Sequence, residues 1–193
     1  MHDGEIVRVP VQQLSTALMA DTKPLRTFRW YKGQPHYSGT YWSSTEAAHV
    51  IYESRLELSR LLLADFDAAV TRIFAQPLMI RAKVDGRRLR HTPDYLLIAG
   101  AEFRFVAVKP QGRLEDPKVI ATFAWVREVI ESNGWSFEVA SEPPQPYFDN
   151  VRFLPVTAGN LQFPTRRWRR CVHAASTARA SGMRCALRPA PNR

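Results

Sequence analysis

Between about residues 43 and 154, apolar positions recur with two periods, about 3.6 residues and two, and the switches between them outline alternating helices and strands. Ser43-Ser44-Thr45-Glu46 carries N-cap chemistry and predicts a helix running through Ala47-Ala48-His49-Val50-Ile51 to about Ala64. Residues 70–75 and 77–84 are strand-like, and Asp85-Gly86 predicts a two-residue hairpin turn. A third strand is expected through Leu89, His91 and residues 95–98, with Gly100 marking the next turn. Residues 102–109 form a fourth strand stopped by Pro110. Alternation along it points Phe103, Phe105, Ala107 and Lys109 one way. Asp116-Pro117 opens a second helix whose apolar residues include Val119, Phe123, Val126 and Ile130, and Asn133-Gly134 closes it. Residues 135–139 form a fifth strand, and 148–154 a short last element. This order predicts an α/β sandwich with a mixed sheet, strands four and five being joined by a parallel crossover through one helix.

The apolar fraction of 45% and charged fraction of 23% are ordinary globular values, so a wholly disordered chain, a coiled coil and a fibrous protein are excluded. No apolar run approaches the ~18 residues of a membrane span. The start, Met-His-Asp-Gly-Glu, has no signal-peptide pattern, so a cytoplasmic protein without membrane contact is expected. The net charge of +9 suggests a polyanionic partner. That charge is unevenly spread. Residues 157–193 hold eight arginines and neither lysine nor acid, which leaves the rest of the chain close to neutral. This tail also holds Cys171 and Cys185, whose spacing matches no metal motif, and it lacks periodicity. Three segments are therefore expected: an N-terminal arm over 1–40, a folded domain over 41–155, and an Arg-rich disordered tail over 156–193 that truncation after about Pro155 would remove. Within the tail, Arg166-Arg167-Trp168-Arg169-Arg170 suits phosphate contact with a base stacked on Trp168; a solvated tail without a partner, or an altered reading frame, is the alternative.

Three polar residues sit where a core pattern would not ask for them: Glu57 on the apolar face of the first helix, Asp94 after Pro93, and Lys109 ending an apolar strand. A carboxylate on an apolar face is costly unless paired or bound to metal. Glu53 flanks Glu57 one turn earlier, and Arg60 or another base is the alternative partner that would make the pair structural. Two converging carboxylates suit a hard divalent cation, and a nearby lysine suits activation of water for in-line phosphodiester hydrolysis. There is no phosphate-loop, nucleophile-elbow or H-E-x-x-H motif to compete. His91 is a candidate for touching substrate, with a structural histidine as the alternative. Gln76 is a candidate for orienting substrate, against a structural amide. Lys83, Arg87, Arg88 and Arg90 cluster around the hairpin and are candidates for tracking DNA phosphates, against a solvated turn.

The order Glu57, Pro93-Asp94, Lys109 on helix, hairpin and strand resembles the PD-(D/E)xK nuclease superfamily. More narrowly, Ser54-Arg55-Leu56-Glu57, Val70…Gln76-Pro77, His91-Thr92-Pro93-Asp94-Tyr95 and Val106-Ala107-Val108-Lys109-Pro110 resemble the N-terminal catalytic domain of TnsA-type transposase endonucleases, over roughly 41–154. The resemblance implies a restriction-endonuclease-like core, with a central mixed β-sheet flanked by helices. It implies a Mg²⁺-dependent endonuclease, Mn²⁺ substituting, that cuts DNA at transposon ends alongside a DDE-type transposase subunit and an ATPase regulator. Carried over by motif, Glu57 matches the helix glutamate and Asp94 the PD aspartate, both metal ligands. Lys109 matches the catalytic lysine, and the backbone carbonyl of Val108 would complete the metal shell. Position 107 departs from the pattern: the superfamily has Asp or Glu there, TnsA-type enzymes tolerate Gln, and Ala107 offers no side-chain oxygen. The departure implies weakened metal binding, and the alternative function is a nuclease-fold protein acting as a DNA-binding or assembly subunit. Larger family members carry a further helical domain, for which 157–193 is too short and too poorly patterned.

Overall fold

The computed structural model describes residues 7–15, 18, 24–25, 37–84, 86–153 and 184–187. Their central layer is a four-stranded mixed sheet, ordered β4 (Arg72–Ala75), β7 (Tyr95–Ala99), β8 (Glu102–Val108), β9 (Ser136–Ala140). The first three strands are antiparallel, and β9 joins β8 in parallel, with Val106 opposite Glu138 and Val108 opposite Ala140. The crossover between β8 and β9 is helix α2 (Pro117–Glu131), capped by Asp116 accepting from the Lys118 N–H at 2.9 Å. The expected mixed sheet with a parallel crossover is therefore present, in a restriction-endonuclease-like α/β fold.

Period-two alternation divides the core into two layers. Leu96, Phe105, Ala107 and Phe137 face α2 and pack with Phe123, Val126, Val129 and Ile130. Tyr95, Leu97 and Val106 face the other way, onto Leu61 and Ala64 of helix α1 (Arg55–Phe66). A second sheet, ordered β1 (Val7–Pro10), β10 (Arg184–Leu187), β5 (Met79–Val84), β6 (Arg87–His91), contributes Ile80 and Ala82 to the α2-side core. In the β5–β6 hairpin Val84 pairs with Arg87, and Gly86 has φ +78°, the left-handed backbone a tight hairpin turn demands.

Several expectations are corrected. The first helix begins at Arg55; residues 39–52 form a hairpin of β2 (Gly39–Ser43) and β3 (Ala48–Tyr52). The Ser43…Glu46 signature is real but serves this turn. Ser43 Oγ accepts from the Glu46 N–H at 3.2 Å, as an N-cap would, and Ala47 then adopts φ +49° and turns the chain back. Val50 therefore lies on a strand rather than on the helix face. The third strand divides at Thr92-Pro93-Asp94, so that β6 and β7 belong to different sheets. The last element is helix α3 (Gln145–Phe153), which lies against α1. The N-terminal arm contributes β1 and a buried Val11, and residues 184–187 of the expected disordered tail form a strand between β1 and β5. The Arg166–Arg170 cluster lies outside the described residues.

Candidate active site

Asp94 is held by its backbone before its side chain does anything. Its N–H donates to the Val106 carbonyl at 2.9 Å, and its carbonyl accepts from the Gln76 N–H at 2.8 Å. These bonds fix it between the end of β4 and the middle of β8. Its Oδ2 accepts from the Val108 N–H at 2.6 Å. Lys109 follows immediately, its own N–H donating to Ala140 at 2.9 Å as the ladder with β9 ends. Asp94, Ala107 and Lys109 line one open pocket, together with Glu53, Gln76, Met79, Arg90, His91, Thr92, Val108 and Phe123. The sequence thus places the aspartate, the lysine and the departure at 107 in a common site.

Glu57 reaches this region from the other layer, at the start of α1. Ser54 caps that helix, its Oγ accepting from the Glu57 N–H at 3.1 Å. The Glu57 carboxylate returns to the cap, accepting from Ser54 Oγ at 3.0 Å and the Glu53 N–H at 2.7 Å. This is a capping box, in which the third helical residue satisfies donors at the helix entrance. Glu57 is not among the residues lining the pocket, whereas Glu53 is. The signal for Glu53 was available in the sequence: a residue just before an N-cap lies outside the helix and is free of its phase, while S-x-x-E commits the glutamate to the cap. Arg60, the expected neutralising base, instead forms a bidentate pair with Glu138 at 2.8 and 2.9 Å.

Two carboxylates, Glu53 and Asp94, line the pocket with two bases, Arg90 and Lys109. Burial pushes Asp94 up to about 7, with Glu57 and Glu53 adding to the rise and the Val108 N–H and Lys109 opposing it. Burial likewise raises Glu57, against its bonds to the cap. His91 is pushed down to about 4 by burial and then by Lys109; its ring meets Phe123 and Trp125 edge-on, and its Nε2 is buried with no hydrogen-bond partner. Gln76 is 5% exposed, adopts φ +46°, donates from Nε2 to the Glu53 carboxylate, and leaves Oε1 buried and unpaired.

Of the hairpin bases, Arg90 lines the pocket while Arg87 and Arg88 are exposed outside it. Arg81 opposes Arg90, and Lys83 opposes Arg88, so four exposed bases share one face. Among the described residues none of the four forms an ion pair. Directly opposed like charges destabilise a hairpin, so this face gains from an anionic partner.

The donor set suits a hard divalent cation: two carboxylates and an amide side chain line one pocket. Among the described residues no group of three or more His, Cys, Asp or Glu could hold a metal. A closed zinc site needs about four such ligands, whereas Mg²⁺ takes one or two carboxylates plus water and phosphate oxygens. No helix among the described residues is long and apolar enough to cross a membrane.

Residues 67–142 match the family described as TnsA-like endonuclease N terminal. The match includes Gln76, Asp94, Ala107 and Lys109 and stops short of Glu53 and Glu57. No curated protein matches the chain. A domain of this family suggests a nuclease role in transposition, in a class that typically uses divalent metal and works with DNA and transposase partners. The chain carries a TnsA-type endonuclease domain, matched over residues 67–142.

Proposed function

We propose that this protein is a Mg²⁺-dependent DNA endonuclease, the subunit of a heteromeric TnsA-like transposase that hydrolyses phosphodiester bonds at transposon ends in the cytoplasm. The observation that carries this reading is that Asp94 and Lys109, both within the TnsA-like match, line one pocket with Glu53 from just ahead of α1. Asp94 and an acid from the start of α1, with the Val108 carbonyl, hold the cation; Mn²⁺ substitutes. When bound, such an ion polarises the phosphate and supplies a nucleophilic water at neutral pH. Lys109 presents an ammonium with three donors, orienting the attacking water and countering charge on the phosphate. Arg90, which lines the pocket, would contact a phosphate entering it, with Arg88 and Lys83 continuing the same face of the hairpin and Arg87 contributing from its turn. Gln76 orients the group bound beside Asp94. A DDE-type transposase subunit and an ATPase regulator complete the assembly.

A second reading is favoured by one observation. Ala107 lines the pocket where the superfamily places an acid, and it brings only a methyl group. The protein would then be a DNA-binding or assembly subunit with impaired cleavage.

The test incubates the full chain, alone and with its transposase partner, with transposon-end DNA and Mg²⁺ or Mn²⁺. Metal-dependent cutting that falls at least about a hundredfold in Lys109→Ala supports the endonuclease. Absence of cutting in the wild type, with cutting gained in Ala107→Asp, supports the second reading. Neither cutting nor DNA binding by any of the proteins would sink both.

A further inference from the structure

The pocket has a deficit and a surplus of oxygen among the residues that line it. Ala107 supplies no side-chain oxygen, while Gln76 lines the same pocket and its Oε1 is buried without a partner. A buried amide oxygen left unbonded carries a desolvation penalty, so its persistence calls for an explanation. The orientation of the amide follows from chemistry. The Glu53 carboxylate can only accept, so the NH₂ of Gln76 must face it and Oε1 must point away. The backbone is unusual too: φ +46° is a left-handed conformation that a residue with a Cβ adopts at a cost. It is held because the Gln76 N–H donates to the Asp94 carbonyl, which ties the amide's position to that of the pocket aspartate.

We infer that Gln76 Oε1 is a ligand of the divalent cation, standing in for the side-chain oxygen that Ala107 lacks. This rests on the metal-binding reading above and names a further residue of that site. An amide oxygen is a hard, neutral donor of the kind such cations accept. The Glu53 carboxylate, holding Nε2, keeps the donor aimed. The site would thereby keep its oxygen count while moving one donor from β8 to the end of β4.

The test is Mn²⁺ binding to the full chain, followed by calorimetry and by the Mn²⁺ paramagnetic resonance spectrum, without DNA or turnover. Gln76→Gly suits the left-handed backbone and removes the amide; it should weaken binding roughly tenfold or more, with the melting temperature held or raised. Gln76→Glu decides between roles. It keeps an oxygen for the metal but loses the donor to Glu53. Equal or tighter Mn²⁺ binding in Gln76→Glu supports ligation; binding lost as in Gln76→Gly means the residue only positions Glu53, and overturns the inference. Unchanged binding in Gln76→Gly overturns it as well. Ala107→Asp placed in the Gln76→Gly background should restore affinity. The metal-binding reading fails separately, if the wild type and Ala107→Asp bind no Mn²⁺ at millimolar concentration.

Discussion

Asp94 and His91 are adjacent in the pocket and are pushed in opposite directions by the same burial. Asp94 keeps its proton until about pH 7 when folded, and releases it near 3.9 when unfolded. Between those values the folded state holds more protons, so this residue's contribution falls as pH rises. His91 titrates near 4 when folded and near 6.5 when unfolded, so in that window its contribution rises with pH. The two slopes oppose each other. Asp94→Asn removes one of them. In metal-free protein it should raise stability at pH 8 by about 1–3 kcal/mol and leave stability rising with pH between 4 and 6.5. Thermal melting across pH in EDTA measures both, and a less stable Asp94→Asn at pH 8 would show that the aspartate is structural. The residue types at this site were legible in the sequence: a lone aspartate after proline and a lysine closing an apolar strand have no role in a core. Glu53 was legible less directly, through the Ser54…Glu57 cap signature that places it just ahead of α1.

At the scale of elements, the β2–β3 hairpin and α1 are tied by one side chain. Asp65, in the last turn of α1, accepts from Tyr41 Oη at 2.8 Å, Ser43 Oγ at 2.6 Å, and the Ser44 and Thr45 N–H groups at 3.0 and 2.8 Å. Burial alone would raise its pKa, but the bonds from Ser43, Thr45 and Ser44 outweigh burial and hold the carboxyl below its ordinary value. The stability it contributes is therefore present above about pH 4 and lost as pH falls further. Asp65→Ala should destabilise the protein by about 1–3 kcal/mol at pH 7, with the deficit shrinking in acid; denaturant unfolding at the two pH values checks this. The misplaced helix start has the same origin. Ser43-Ser44-Thr45-Glu46 and Ser54-Arg55-Leu56-Glu57 carry the same local signature. Only the first lies next to Asp65, whose acceptors draw the preceding backbone into a turn. The helix α2 was readable because proline at its first turn, an aspartate cap and Asn133-Gly134 all agree with its apolar period.

Across the whole molecule, bases are concentrated in two stretches of the chain. One is the Arg-rich C-terminal segment. The other is the hairpin face of Arg81, Lys83, Arg88 and Arg90, which approaches the pocket through Arg90. Residues 184–187 connect the two, since β10 pairs with β5 and places Arg184 opposite Arg81. Truncation after Pro155 is therefore not a neutral removal of a tail: it takes out a strand between β1 and β5 and leaves two unpaired edges. A chain ending at 155 should melt at a lower temperature than the full chain and be more prone to aggregate, as calorimetry and light scattering would report; an unchanged melting temperature would show β10 to be dispensable. By itself the sequence determined a mixed sheet with a parallel crossover, because period-two alternation, turn residues and caps are local and agree with one another, and its resemblance to a nuclease family paired Asp94 with Lys109. Tertiary structure alone decided that Gln76, with a buried unpaired oxygen, lines the pocket with Ala107, and that β10 pairs between β1 and β5. Each of these depends on bonds between residues far apart in the chain, which no local pattern encodes.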